Sequence, residues 1–153
     1  CDPELTLMPA RTASAVVVLV LAAAACGRMP PEHRVIEASG DAIRLPLEQV
    51  ADGRVHFFTY KHAGTNVNFI VRTDGNGVLH SHFDACYSCF QYKRGFVVEG
   101  SDLVCIACRL AYPIADEVWD FIGACAPISV HSSRGDDSLV IERRLLERGA
   151  RYF

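Results

Sequence analysis

Hydrophobic and polar positions divide the chain into one continuous apolar run and a longer body of short alternating segments. Residues 13–25 read ASAVVVLVLAAAA, and Arg11 precedes them. A membrane-spanning helix needs about 20 apolar residues, whereas a shorter apolar core behind a positive residue is typical of a secretory signal peptide. We therefore predict that residues 1–25 are a signal peptide, with Met8 as a candidate true start.

The apolar run ends in small residues immediately before Cys26. This arrangement is typical of bacterial lipoproteins, in which the cysteine becomes the lipidated first residue of the mature protein. We predict lipidation at Cys26, a tether over residues 26–40, and an extracytoplasmic, membrane-anchored protein on the periplasmic or cell-surface face. An uncleaved anchor and an ordinary secretory signal are the alternatives.

From residue 35 onward the pattern is that of short β-strands separated by turns. β-Branched and aromatic residues are concentrated in VHFFTY (55–60), and alternation continues in VNFIVR (67–72). The predicted strands are 35–36, 43–47, 55–60, 67–72, 78–83, 96–98, 103–104 and 139–141. We predict one small domain over residues 41–153, mainly β, with an α+β arrangement as the alternative.

Two turn sequences predict hairpins in this domain. DGNG at 74–77 separates two predicted strands, and EGSD at 99–102 separates two more. Helical turns are predicted only at 116–122, where Trp119 is expected to fill the core, and at 142–147, where a loop is the alternative.

Charge and motifs exclude several classes of function. The chain has 153 residues and a formal net charge of −3, without a basic stripe, so a nucleic-acid-binding protein is not expected. The sequence contains no P-loop or Rossmann fingerprint and no recognisable Ser-His-Asp set. A hydrolase or nucleotide-dependent enzyme is therefore not expected, and no catalytic residue is assigned.

Cysteine spacing is the strongest chemical signal in the chain. The pattern is Cys86-x2-Cys89, fifteen residues, Cys105-x2-Cys108, sixteen residues, and then Cys125. Two CxxC pairs at this separation are typical of metal sites, because each tight turn directs two sulfurs to one point and a hairpin brings the turns together. Structural disulfides and thiol–disulfide chemistry are the alternatives for an exported protein.

Two histidines precede the first CxxC pair. His80 and His82 lie two residues apart on a predicted strand, so both side chains face one side of it. They are possible additional ligands, which would extend the cysteine site toward copper or mixed-ligand iron. Asp84 is expected either to orient a ligand or to cap a turn, and Cys125 to serve as a fifth ligand or remain a bystander.

The ordered segments FDACYSC (83–89), LVCIAC (103–108), GACAP (123–127) and GARYF (149–153) resemble the FtrD-like domain family over roughly residues 40–153. Its members are described as membrane iron–sulfur-containing proteins of bacterial ferrous-iron uptake. The resemblance implies an iron permease and a periplasmic iron- or copper-binding protein as partners. One departure is Arg109, which follows the second CxxC where glycine is common. The ligand set that the resemblance implies is Cys86, Cys89, Cys105, Cys108 and Cys125.

Three functional hypotheses follow for an exported protein with this cysteine set. The first is an iron–sulfur or iron centre for electron transfer or iron handling beside an iron-uptake permease. The second is a zinc or copper binding or delivery module without redox turnover, including a purely structural zinc domain. The third is a thiol–disulfide redox protein, which would have an exposed cysteine of low pKa and no bound metal.

Overall fold

The computed structural model describes residues 31–119 and 125–153, and within these ranges the fold is mostly β-sheet. The one α-helix among these residues, α1, covers Arg143–Gly149, and short 3-10 turns cover Leu47–Gln49, Phe90–Tyr92 and Ala150–Tyr152. The strands are β1 (Arg34–Ile36), β2 (Ala42–Pro46), β3 (Val55–His62), β4 (Thr65–Thr73), β5 (Leu79–Cys86), β6 (Phe96–Glu99), β7 (Asp102–Cys105), β8 (Ala111–Pro113), β9 (Pro127–Val130), β10 (Ser133–Arg134) and β11 (Ser138–Glu142). The prediction of a mainly β domain is confirmed.

A five-stranded sheet in the order β1-β3-β4-β5-β9 forms the centre of the fold. Strands β3, β4 and β5 make an antiparallel meander, and the predicted turn at 74–77 joins β4 to β5. Strand β1 pairs in parallel with β3, and Ile36 packs against the core. Part of the predicted tether over 26–40 therefore belongs to the domain, because β1 completes the sheet edge and buries apolar surface.

One face of this sheet packs on a second sheet in the order β10-β11-β2 and on α1. Alternate residues of β4, including Phe69 and Val71, point to this side. They meet Ile43 and Ile141 from the second sheet and Leu146 from the helix. This larger core contains no cysteine among the described residues and holds β5 in place.

The opposite face of the central sheet packs on the small sheet β6-β7-β8. Ile70 of β4 and Phe96 of β6 are fully buried there together with Leu103 and Tyr112. The hairpin predicted around 99–102 is confirmed as β6-β7. The buried cysteines lie in this second core, at the ends of β5 and β7.

Two regions differ from the sequence predictions or fall outside the structure. Residues 116–119 form a bend at 117–118 and not the expected helical turn, and 120–122 lie outside the described residues. The predicted signal peptide 1–25 and Cys26 also lie outside them. Within the ranges 31–119 and 125–153, no helix combines the length and the apolar composition that crossing a bilayer requires.

Candidate metal centre

Five cysteine sulfurs converge at the junction of the central sheet and the β6-β7-β8 sheet. Their Sγ atoms all lie within 4.8 Å of one another. The Cys86 Sγ lies 3.0 Å from that of Cys125 and 3.8 Å from that of Cys105. The Cys108 Sγ lies 3.3 Å from that of Cys125. Each of these five side chains is a free cysteine, not part of a disulfide. The complete group is Cys86, Cys89, Cys105, Cys108 and Cys125.

The folding of three strands brings these sulfurs together. Cys86 ends β5 and Cys105 ends β7, so each CxxC pair begins at a strand end and continues through a turn. The β6-β7 hairpin returns the chain to the first pair. Cys125 precedes β9, whose first residue, Pro127, is paired with Cys86. Cys125 is thus held beside the first CxxC pair, although many residues separate them in sequence.

Backbone amides inside the turns donate hydrogen bonds to the sulfurs. The Cys89 amide donates to the Cys86 Sγ at 3.2 Å. In the second turn, amides of Ala107 and Cys108 donate to Cys105 and that of Leu110 donates to Cys108. Such bonds stabilise thiolates and tune the potential of a metal that they bind. The turns therefore position the sulfurs and also support their negative charge.

Arg109 has a left-handed backbone, with φ of 64°, directly after the second CxxC pair. This conformation explains why glycine suits the position, since a side chain there costs about 1 kcal/mol. The guanidinium of Arg109 donates two hydrogen bonds of 2.9 Å to the Glu99 carboxylate. These bonds offset part of the strain and attach the second turn to β6.

Asp84 braces the two sheets beside the cysteines. Its Oδ1 accepts the Phe96 amide at 2.7 Å, and its Oδ2 lies 2.9 Å from the His33 Nε2. A Cβ added to Gly95 would lie 2.5 Å from this carboxylate, so only glycine allows the approach. Asp84 thus connects β5 to β6, whereas the sequence suggested ligand orientation or a turn cap. His33 carried no signal in the sequence, because nothing local indicates a partner so far along the chain.

Two aromatic residues, Tyr112 and Trp119, pack in the same core as the buried cysteines. The Tyr112 hydroxyl donates to the Cys125 carbonyl oxygen at 2.8 Å. Burial, together with the nearby Cys125 thiol, raises the pKa of Tyr112. Trp119 packs against Tyr112, with ring centroids 5.6 Å apart. Tyr112 is a neutral donor in this position, and it fixes the backbone that carries the fifth sulfur.

His80 and His82 are not members of the five-sulfur group. The His82 ring stacks on Trp119, with centroids 4.7 Å apart, and His80 pairs with Asp74. Since Trp119 in turn contacts Tyr112, aromatic side chains lie between the histidines and the sulfurs. The geometry gives no support to a mixed histidine–cysteine site, and the donors at the cysteine centre are thiolates alone.

A cavity of about 360 Å³ opens beside the sulfurs. Cys86, Cys89 and Cys105 form part of its wall, and Phe90 and Tyr152 face each other across it in an edge-on contact. Tyr87, Phe90 and Tyr92 are exposed to solvent. The first CxxC turn therefore lies near the surface.

The thiols differ in pKa because their environments differ. Burial raises the pKa of Cys86 and Cys105, and it raises that of Cys89 to about 12. At Cys108, burial acts in the same direction but is outweighed by hydrogen bonds from the Leu110 amide and from neighbouring thiols, so its pKa is lowered. Without metal, most of the group is protonated at neutral pH, and a metal must displace those protons when it binds.

This difference predicts the order of alkylation in metal-free, reduced protein. Cys108 is exposed and has the lowered pKa, so iodoacetamide is expected to modify it before the buried Cys86 and Cys105. Thiolate fraction and access both favour Cys108. Mass spectrometry of tryptic peptides after a short pulse at pH 7 measures the order. Equal modification of Cys108 and Cys86 would contradict the difference in acidity and access between the two thiols.

The distances between the sulfurs indicate which kind of metal centre the five cysteines can hold. Sulfurs bound tetrahedrally at about 2.3 Å from one ion lie about 3.8 Å apart. The measured separations of 3.0, 3.3 and 3.8 Å, and the 4.8 Å limit for the group, bracket that value. Four of the five cysteines can therefore surround one soft ion. A polynuclear cluster needs wider spacing, because inorganic sulfide and further iron must lie among the thiolates.

Comparison with known proteins assigns the family. A search of the curated proteins found no match. A family model described as "Membrane iron-sulfur containing protein FtrD-like" matches residues 50–153, which is more than half of the chain. The matched region contains the central meander, the Asp84 brace and the complete five-sulfur group. The chain therefore belongs to the FtrD-like family of membrane iron–sulfur-containing proteins.

Proposed function

We propose that the five cysteines hold an iron-based, redox-active centre and that the protein transfers electrons in support of iron uptake at a membrane. The observation that carries this proposal is the convergence of five sulfurs within 4.8 Å in a largely buried site. The family description supplies the choice of iron. When bound, thiolate-ligated iron supplies a one-electron couple whose potential depends on hydrogen bonds to sulfur and on burial.

The residues around the sulfurs suit a metal centre whose charge changes when it gains or loses an electron. Amides of both turns donate to the sulfurs, and the second core keeps water from Cys86, Cys105 and Cys125. The first turn lies beside the open cavity. Electrons would enter or leave at that side, because transfer requires close approach and the opposite side is covered by Tyr112 and the rest of the second core.

The fifth sulfur bears on the composition of the centre. One tetrahedral ion uses four thiolates, yet Cys125 is as close to Cys86 and Cys108 as the other sulfurs are to one another. We infer that four of the five bind one ion and that the fifth can replace one of them. Iron per chain and acid-labile sulfide per chain measure this directly.

A zinc or copper binding module is the second candidate, and the sulfur spacing supports it as much as it supports iron. The separations suit one tetrahedral ion of either metal as well as iron. A colourless protein with one zinc ion per chain, and without acid-labile sulfide, would establish this candidate and end the proposal of electron transfer.

Membrane attachment and partners belong to the same proposal. The family description includes the membrane, and the sequence ending at Cys26 is typical of a lipidation signal. We propose that lipid at Cys26 holds the domain at the outer face of the cytoplasmic membrane or at the cell surface. Its partners there would be an iron permease and a periplasmic iron- or copper-binding protein.

The same change, cysteine to serine, made at two different positions distinguishes metal binding from membrane anchoring. Cys86→Ser is expected to reduce bound iron by about tenfold or more, because it removes a thiolate that contacts two other sulfurs. Cys26→Ser is expected to keep the iron and release the protein from membranes. The measurements are iron, zinc, copper and sulfide per chain, the visible spectrum, and the membrane fraction, all on full-length protein prepared without oxygen.

Each result has a defined meaning. Retention of iron by Cys86→Ser would contradict the assignment of the centre. Retention of Cys26→Ser in membranes would contradict the lipid anchor without affecting the centre. Metal-free wild-type protein with fewer than five reactive thiols in the group would replace both metal hypotheses with disulfide chemistry.

A further inference from the structure

His82 is a buried histidine whose ring nitrogens have no partner. Its residue is 7% exposed, and neither Nδ1 nor Nε2 has a hydrogen-bond partner among the described residues. Burial, followed by the charges of Arg72 and His80, lowers the pKa of His82 to about 3, so the ring is neutral. A buried polar group without a partner costs about 1–3 kcal/mol. A bound ligand would remove this cost by giving a ring nitrogen a partner, so the position is a candidate binding site.

His80 lies two residues earlier on β5 and faces the same side of the sheet. Its Nε2 lies 2.8 Å from the Asp74 Oδ2. The other oxygen of Asp74 accepts the amides of Asn76 and Val78 at 2.9 Å, so the carboxylate is rigidly held. A carboxylate that holds one ring nitrogen is the usual support of a metal-ligating histidine, because it orients the ring and raises its basicity.

The two histidines open onto adjoining cavities. One cavity of about 260 Å³ is bounded by His80, His82 and Glu117. A second, of about 440 Å³, is bounded by the same two histidines and by His131. An ion held by two imidazoles would therefore have space for water or further donors. Glu117 and His131 are exposed, so both can adjust toward a bound ion.

Charges near these cavities favour a cation. The Arg72 guanidinium would repel one, but it is engaged by the carbonyl oxygens of Ile114 and Asp116 and lies 3.9 Å from the Trp119 ring centroid. Three carboxylates balance this single positive charge. They are Asp74, Asp116 and Glu117.

The site is separate from the cysteine centre. Trp119 stacks on His82 and also packs on Tyr112, whose hydroxyl donates to Cys125. Two aromatic rings thus lie between the imidazoles and the nearest sulfur-bearing residue. The donor types differ as well, since imidazole suits copper, nickel, zinc and iron, whereas thiolate selects softer ions.

We propose that His80 and His82 form a second, exchangeable binding site for a first-row transition-metal ion. Two protein ligands and open coordination positions suit an ion that enters and leaves, in contrast to the enclosed five-sulfur group. The proposal holds whichever metal the cysteines carry, so it does not depend on the electron-transfer function.

Nickel binding to the full-length protein, with its cysteine centre loaded, tests the proposal. Equilibrium dialysis against nickel(II), with nickel and centre metal measured in the same sample, is expected to show about one nickel ion per chain in addition to the centre. His82→Gln and His80→Gln are each expected to weaken nickel binding by about tenfold or more. His56→Gln is the matched control, because His56, on β3 of the same sheet, also pairs with a carboxylate, that of Asp52.

The nickel-binding results distinguish the proposed histidine site from its absence. Absence of extra nickel in the wild type, or equal nickel binding by His80→Gln and His56→Gln, would overturn the proposal. Circular dichroism and the centre-metal content establish that each variant is folded. If His82→Gln does not fold, His80→Gln decides, since its side chain is partly exposed. Failure of the electron-transfer proposal would appear instead in the metal and sulfide content of the cysteine centre.

Discussion

Gly149→Ala is expected to destabilise the protein by roughly 3 kcal/mol or more. Gly149 ends α1 at the point where the helix crosses Phe83 of β5. A Cβ at this position would lie 2.0 Å from the Phe83 Cζ, a separation that no carbon pair tolerates. Phe83 is itself buried and packs against Tyr152 and Phe153, so the ring has little room to move.

The direction of the stability change distinguishes the effect of helix propensity from that of the contact with Phe83. Alanine normally stabilises a helix relative to glycine by about 1 kcal/mol, and the backbone at Gly149 has an ordinary helical φ of −74°. Intrinsic propensity therefore predicts a more stable variant, whereas the contact with Phe83 predicts a less stable one. The effect extends to the metal centre, because Phe83 lies on β5 just before Cys86.

Thermal and denaturant unfolding of the full-length protein measure the change, with bound metal determined in parallel. Phe83→Leu in the Gly149→Ala background is expected to recover part of the lost stability, since the smaller side chain makes room for the Cβ. A Gly149→Ala variant as stable as the wild type, or more stable, would show that α1 does not pack on β5 as described.

Acid is expected to destabilise the protein through His82, by about 1.4 kcal/mol for each pH unit below 6.5. The folded-state pKa of His82 is about 3, against an ordinary value of 6.5, chiefly because of burial. Above pH 6.5 the ring is neutral in both states and contributes no pH dependence. Between pH 6.5 and 3 the unfolded chain takes up a proton that the folded protein does not, so stability falls.

His82→Phe isolates this contribution because it keeps an aromatic ring against Trp119 and removes the titrating group. Between pH 6.5 and 4.5 the wild type is expected to lose about 2 kcal/mol more than the variant. The window lies above the range in which carboxylates such as Asp74 and Asp52, with lowered pKa values, take up protons. Parallel stability curves for the two proteins would contradict a buried, neutral His82.

Local pattern was sufficient for most of the strands and for the five-cysteine group. The β3-β4-β5 meander and the β6-β7 hairpin follow from alternation and from two turn sequences, because these signals act between neighbouring residues. The CxxC spacing likewise predicts convergence, since a hairpin between two pairs leaves few other arrangements. Short strands without local patterning, such as β8 and β9, were not predicted.

The features that local pattern did not predict depend on contacts between residues that are far apart in sequence. His80 and His82 share a face with Cys86, as strand periodicity requires, yet Trp119 and Tyr112 intervene and place the histidines apart from the sulfurs. Asp84 braces Phe96 and His33, and β1 joins the central sheet. None of these pairings has a sequence signature, because each depends on which faces pack together.

The amino-acid sequence by itself determined the fold class, the family resemblance and the five cysteines, all of which rest on spacing along the chain. Only the tertiary structure decided how the sulfurs are enclosed and which thiol is reactive. It also decided that the two histidines lie outside the five-sulfur group. Burial and electrostatic environment are set by side chains that are far apart in sequence, and these determine pKa, access and ligand choice.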